Sequence, residues 1–155
     1  MLKIEIPGRE PVEIEHVVLD YNGTIAVDGR LLDGVEERIG KLKEMVSVCV
    51  LTADTYGTVR EQCEPMGVEV KTFPREGAAK CKEEIVKGLE GGAVCFGNGL
   101  NDRLMFDAAL LGVAVLEGEG MCAALMAHAD VVVHSVIEGL DLLLKPNRLR
   151  ATLRS

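Results

Sequence analysis

Three nearly uninterrupted apolar runs, at residues 16–19, 46–51 and 93–96, constrain this chain more than any other feature. A strand with one face in water alternates apolar and polar side chains. A strand covered on both faces reads as apolar throughout, as the central strands of parallel sheets do. A fourth run follows at 113–116 and a fifth at 131–133. Helical patterns fill the gaps, at 34–45, 56–66, 80–89, 102–111, 121–128 and 137–144. Strands alternating with helices predict an α/β fold, a Rossmann-like doubly wound parallel sheet with right-handed crossovers. Ahead of it, residues 2–6 and 12–15 alternate apolar and acidic side chains around Pro7-Gly8-Arg9-Glu10-Pro11, which predicts an N-terminal β-hairpin.

Composition agrees with that architecture. Hydrophobic residues make up 48% and aromatics only 3%, with no Trp, so the core must be built from aliphatic side chains. The 155 residues fit one domain, and no repeat or linker divides them. A net charge of −8 argues against nucleic acid and anionic membranes as partners. No apolar run approaches the ~20 residues of a membrane span, and the first residues lack a signal-peptide core. The expected location is cytoplasmic. The five cysteines, Cys49, Cys63, Cys81, Cys95 and Cys122, form no Cys-x-x-Cys pair, and Cys49 and Cys95 lie in strand-like runs. They read as reduced thiols rather than as disulfides or a zinc site.

In doubly wound sheets, ligands bind beyond the carboxyl ends of the strands. Three polar segments follow the first three runs: Asp20-Tyr21-Asn22-Gly23-Thr24, Thr52-Ala53-Asp54-Thr55 and Gly97-Asn98-Gly99-Leu100-Asn101-Asp102. Asp20 and Asp102 offer hard oxygens suited to Mg²⁺. Thr24, Thr52 and nearby backbone N–H groups suit phosphate oxygens.

These segments, in this order and with a lysine on a later helix, resemble the motifs of the haloacid dehalogenase (HAD) superfamily. The stretches DYNGTIAVDG, LTADTYGT, GNGLNDRLM and KPNRLRATLR are similar to those of the group called soluble P-type ATPases, and to P-type ATPase phosphorylation domains. The resemblance implies that Asp20 is a nucleophile forming an aspartyl phosphate. It implies that Asp20, the backbone carbonyl of Asn22, Asn98 and Asp102 hold Mg²⁺. Gly23, Thr24, Thr52, Ala53 and Asn101 would contact the phosphoryl group, with a lysine neutralising charge. On the helix at 80–89 the apolar residues are Ile85, Val86 and Leu89. At about 100° per residue Lys82 shares their face and Lys80 falls nearly opposite. Lys82 is the expected site lysine, with Lys80 as the alternative.

Two positions depart from the superfamily pattern. Asn22 stands where its phosphatases carry an Asp acting as general acid and base, a contribution of ~10²–10⁴ in rate. Asn98 stands where Asp is usual, which keeps an oxygen ligand and removes its charge. Asp54 reads either as a compensating carboxylate or as a helix N-cap. The spacings 20–52 and 52–82 leave no room for a cap domain, and capless relatives often complete the site with a neighbouring subunit. The expectation is therefore a Mg²⁺-dependent phosphatase or phosphotransferase of the HAD type, slow in hydrolysis. It would act on a phosphorylated small molecule or macromolecule and assemble as a homo-oligomer. The alternative is a non-catalytic module that binds a phosphorylated ligand. His16, His128 and His134 lack ligand spacing, and Arg148, Arg150 and Arg154 read as a solvated tail or as a phosphate-facing one.

Overall fold

A computed structural model describes residues 1–54 and 57–155. Thr55 and Tyr56, where the second helix is expected to begin, lie outside the described residues. The described residues form ten strands: β1 (Leu2–Ile4), β2 (Val12–Ile14), β3 (His16–Asp20), β4 (Ala26–Val27), β5 (Arg30–Leu31), β6 (Ser47–Thr52), β7 (Glu69–Thr72), β8 (Ala93–Gly97), β9 (Leu111–Val115) and β10 (Val131–Val133). The helices are α1 (Val35–Leu42), α2 (Thr58–Cys63), α3 (Ala78–Lys87), α4 (Arg103–Ala108), α5 (Val136–Leu144) and α6 (Pro146–Leu153). Six strands form one parallel sheet in the order β10-β9-β8-β3-β6-β7. This is the Rossmann-like fold expected, with β3 inside and helices on both faces.

Strand alternation divides the core in two. Val17 and Leu19 of β3, Val48 and Val50 of β6, and Val94 and Phe96 of β8 point to the face covered by α1, α2, α5 and α6. Val18, Cys49, Leu51 and Cys95 point to the other face, under α3 and α4. Each central strand is thus apolar on both sides, which is why its sequence shows no alternation. Register then fixes the edge. Asp20 of β3 lies opposite Leu51 of β6, and Leu19 opposite Phe96 of β8. Asp20, Thr52 and Gly97 therefore end their strands within about one residue of each other.

Several boundaries differ from expectation. A sixth strand, β7, completes the sheet at one edge; only Val70 is buried in it, so no apolar run announced it. Residues 111 and 112 belong to β9, and the helix before it ends at Ala108. Residues 123–128 wind as 3₁₀ helix. The tail, read as a solvated or phosphate-facing end, forms α6 and buries Leu149 against its own chain. From α6 the Arg150 Nε donates to the Glu5 carbonyl at 2.7 Å, tying the C-terminus to the hairpin β1–β2. The short hairpin β4–β5 turns through Asp28 (φ 52°) and Gly29 (φ 77°). Two consecutive positive φ angles are the mark of a type I′ turn, for which Asp-Gly is well suited.

Candidate active site

The carboxyl edge of the sheet holds a cluster of buried polar side chains. Asp20 ends β3 with 8% of its surface exposed, and Thr52 ends β6 with 2%. After β8 the chain turns through Asn98 and Gly99 into a 3₁₀ turn, Leu100–Asp102, that buries Asp102 completely. Lys82 comes from the buried face of α3. Its Nζ lies 2.8 Å from Asp20 Oδ1, 2.7 Å from Asp102 Oδ1 and 3.3 Å from Asn101 Oδ1. It also stands 5.9 Å from the centre of the Phe73 ring, a cation–π distance. Lys80 is on the opposite side, exposed and paired with Glu83.

One buried ammonium thus faces two buried carboxylates. Burial first, and then the neighbouring Asp102, push the Asp20 carboxyl up to about 7 despite Lys82 and the Thr24 hydroxyl. Burial pulls the Lys82 ammonium down, yet Asp20 and Asp102 together hold it above its ordinary value. The site is therefore short of positive charge.

A cavity of about 200 Å³ opens over these groups, lined by Asp20, Asn22, Thr52, Ala53, Phe73, Lys82, Asn98, Gly99 and Asn101. Thr52 Oγ1 accepts the Asp54 N–H at 3.1 Å, so its proton is what it offers the cavity. Expected contacts of three residues differ from what is seen. Thr24 is fully buried behind Asp20, donating to Asp20 Oδ2 at 3.1 Å with Asn98 Oδ1 at 3.3 Å. It orients the carboxylate and does not reach the cavity. Asp102 is also behind the wall. Its Oδ1 takes Lys82, and its Oδ2 accepts the Asn98 and Gly99 N–H groups at 3.1 and 3.0 Å. Gly23 is not among the lining residues; it packs on Asn98, where a Cβ would stand 2.2 Å from Nδ2. Its φ of 80° favours glycine in any case. Asp54 caps the start of α2, accepting Thr58 Oγ1 at 2.5 Å and the Val59 N–H at 3.1 Å. Phe73 went unmarked in the sequence because it follows the unannounced β7, while Gly99 lay in a marked segment with no contact assigned to it.

Among the described residues, no three His, Cys, Asp or Glu side chains gather as a metal-binding group. A Mg²⁺ ion does not require one, since it keeps several waters and often takes one or two carboxylates. The Asp20 carboxylate and the Asn98 amide oxygen supply hard donors, and the excess negative charge is what a divalent cation relieves. These residues fit such an ion. A larger open depression of about 670 Å³ lies beside α2 and β7, lined by Arg60, Glu64, Val68, Glu69 and Val70. No buried polar cluster faces it.

Comparison with known proteins follows the same lines. No family model matches the sequence. An uncharacterised protein of Methanocaldococcus jannaschii, MJ0073, is 38% identical over 92 residues, which are 57% of this chain and 99% of that one. A second from the same organism, MJ0072, is 51% identical over 39 residues, 25% of this chain and 89% of its own. Among solved structures, the 3-deoxy-D-manno-octulosonate 8-phosphate phosphatase of Moraxella catarrhalis, in complex with magnesium, phosphate and the sugar acid, superposes with a TM-score of 0.67. It is 18% identical, covering 91% of this chain and 94% of that one. The cobalt-bound Haemophilus influenzae phosphatase gives 0.67 at 14% identity, over 92% and 94%. A zinc-transporting PIB-type ATPase gives 0.60 at 25%, over 79% of this chain and 20% of the ATPase. No described helix is long and apolar enough to cross a membrane. The chain belongs to one family with the Methanocaldococcus proteins, and its described residues have the HAD fold without a cap domain.

Proposed function

We propose that this protein is a Mg²⁺-dependent phosphotransferase of the HAD type whose nucleophile is Asp20, and that it hydrolyses its substrates slowly. The observation that carries this reading is the buried Asp20 carboxylate at the end of the central strand, on a small cavity, with Lys82 Nζ at 2.8 Å. A phosphoryl group entering the cavity meets Asp20 as attacking oxygen, Lys82 and the Thr52 hydroxyl as donors, and Asn101 on the wall. Asp20 Oδ bonds to phosphorus as the ester P–O bond breaks, and the leaving oxygen takes a proton from solvent. Water then attacks the aspartyl phosphate, releasing phosphate and restoring Asp20. A Mg²⁺ ion bound here would supply neutralising charge to the site. The ion would be held by Asp20, Asn98 and the carbonyl of Asn22. Asp102, behind the wall, positions Lys82 and the Asn98–Gly99 turn.

Asn22 lines the cavity but cannot donate and retake a proton as a carboxyl does. Both the departure of a poor leaving group and the attack of water then proceed without general acid–base help. The same observation favours a second reading, a phosphate-binding module without turnover. Steady-state hydrolysis of para-nitrophenyl phosphate with Mg²⁺ separates them, for wild type, Asn22→Asp and Asp20→Asn/Asn22→Asp. The phosphotransferase reading expects Asn22→Asp to gain roughly 10²-fold and the double variant to lose that gain. No gain, or a gain that survives loss of Asp20, leaves the binding module.

A further inference from the structure

The side chain of Asn98 does something that the usual Asp could not do. Its Nδ2 donates to the Gly120 carbonyl at 3.1 Å, and its Oδ1 lies 3.3 Å from Thr24 Oγ1. A carbonyl only accepts, so the amide nitrogen must face Gly120 and the amide oxygen must face Thr24. A carboxylate at this position would set its own oxygen against the Gly120 oxygen. The backbone of Asn98 makes a second tie to the same segment, accepting the Cys122 N–H at 2.8 Å.

The segment held in this way continues to the hairpin β4–β5. Glu119 Oε2 accepts the Asp28 N–H at 3.2 Å. A Cβ on Gly118 would stand 3.2 Å from Val27 Cγ1, so the loop and the hairpin are in contact. The hairpin is also held elsewhere. Gln62 of α2 accepts the Leu31 N–H at 3.1 Å and donates to the Gly29 carbonyl at 2.8 Å, and Tyr21 Oη donates to that carbonyl at 3.0 Å. The hairpin is therefore fixed on the α2 side by Gln62, and on the other side through Glu119, Gly120 and Asn98.

We infer that Asn98 is a positioning residue that fastens the 117–120 loop, and through it the β4–β5 hairpin, to the phosphate cradle. Among the described residues no cap domain is present, and Asn98 trades a metal-ligand charge for the placement of this pair of segments. The inference deepens the phosphotransferase reading, resting on it for the metal side of the trade. The placement itself is independent of catalysis.

The test uses the metal-free protein without substrate, so that its outcome does not depend on turnover. Amide hydrogen exchange is followed by NMR for Gly120, whose N–H donates to the Glu117 carbonyl, and for Asp28. Asn98→Asp and Asn98→Ala should each speed exchange at both amides by roughly five- to tenfold, the effect of one lost hydrogen bond. The Cys122 amide, bonded to the Asn98 backbone, should change less than about twofold. Glu119→Ala, a surface change that keeps the fold even if the Asn98 variants do not, should release Asp28 and leave Gly120 protected. Calorimetric titration should show Asn98→Asp binding Mg²⁺ on the order of tenfold more tightly. Unchanged exchange at Gly120 in both Asn98 variants overturns the inference, as does Glu119→Ala without effect on Asp28. Tighter Mg²⁺ binding combined with unchanged exchange leaves Asn98 as a weakened ligand and nothing more.

Discussion

Two buried carboxylates in this molecule meet cations in opposite ways. Asp141, on α5, receives Arg38 Nε from α1 at 2.9 Å, with Lys145 and Arg148 at 3.8 and 3.9 Å. Burial pulls its carboxyl upward, but Arg38, Lys145 and Arg148 outweigh that and hold it below the usual carboxylate value. Asp20 shares one lysine with Asp102, and its carboxyl rises to about 7. The first cluster joins α1 to α5 with charge to spare and has nothing left to do. The second is left short of positive charge at the edge where a phosphoryl group and its cation would arrive. On the proposed reading, excess positive charge goes with a structural cluster here and deficit with a catalytic one.

The largest expected effect that tests this contrast is catalytic. If the deficit serves phosphoryl transfer, Asp20→Asn should lower para-nitrophenyl phosphate turnover by at least ~10³-fold, as loss of a nucleophile does. Lys82→Ala should lose a comparable factor, because the transferring group then lacks its neutralising cation. Lys80→Ala is the control. Exposed and paired with Glu83, it should leave the rate within about twofold. Equal losses for the two lysines would show that the rate follows surface charge rather than the buried cluster.

What could be read from the sequence follows from the same physics. Strands β3, β6 and β8 are buried on both faces, and their residues say so without the structure. Lys82 could be placed because helix periodicity puts it with Ile85, Val86 and Leu89, and the structure leaves it 2% exposed. The edge strand β7, Glu-Val-Lys-Thr, buries one side chain in four and carries almost no signal. Its absence from the sequence reading hid Phe73, which approaches Lys82 only because β7 delivers it. Thr24 and Asp102 illustrate another limit. Residue type placed them in the buried cluster, but not with their oxygens spent on other residues of that cluster. Whether a polar group faces the ligand or the group behind it depends on side-chain direction after a turn, and spacing does not encode that. The tie from Asn98 to Gly120 was hidden for the same reason.

The next effect in size belongs to the structural cluster. Asp141→Ala leaves Arg38, largely enclosed between α1 and α5, without its carboxylate. Breaking a buried pair from one side costs more than the pair contributes, and about 3 kcal/mol is expected at pH 7. Urea unfolding measures it, with an unchanged m-value as the check that only stability moved. A folded-state carboxyl held low contributes stability above its unfolded value and loses it as pH falls through the folded one. The difference between wild type and Asp141→Ala should therefore narrow only below about pH 4. Catalysis should be unaffected, since Asp141 is not among the residues lining the cavity.

The smallest effect is the mirror image of that one, and it separates the two clusters most directly. The Asp20 carboxyl is raised in the folded protein from 3.8 to about 7. Between those values the folded state holds a proton that the unfolded state has released, so stability falls as pH rises through the window. Replacing Asp20 with Asn removes this loss, while Lys82 keeps Asp102 as its partner at 2.7 Å. Without metal, Asp20→Asn should therefore be more stable than wild type at pH 8 and equal to it near pH 4. Mg²⁺ should close the gap from the other side. It should stabilise wild type increasingly from pH 5 to 8 and have little effect on Asp20→Asn, because the ion favours the ionised carboxylate. Thermal unfolding of both proteins at pH 4, 6 and 8, with and without Mg²⁺, supplies the full comparison. A wild type that gains stability over Asp20→Asn as pH rises in the absence of metal would place Asp20 with Asp141, as a carboxylate whose charge the fold already satisfies.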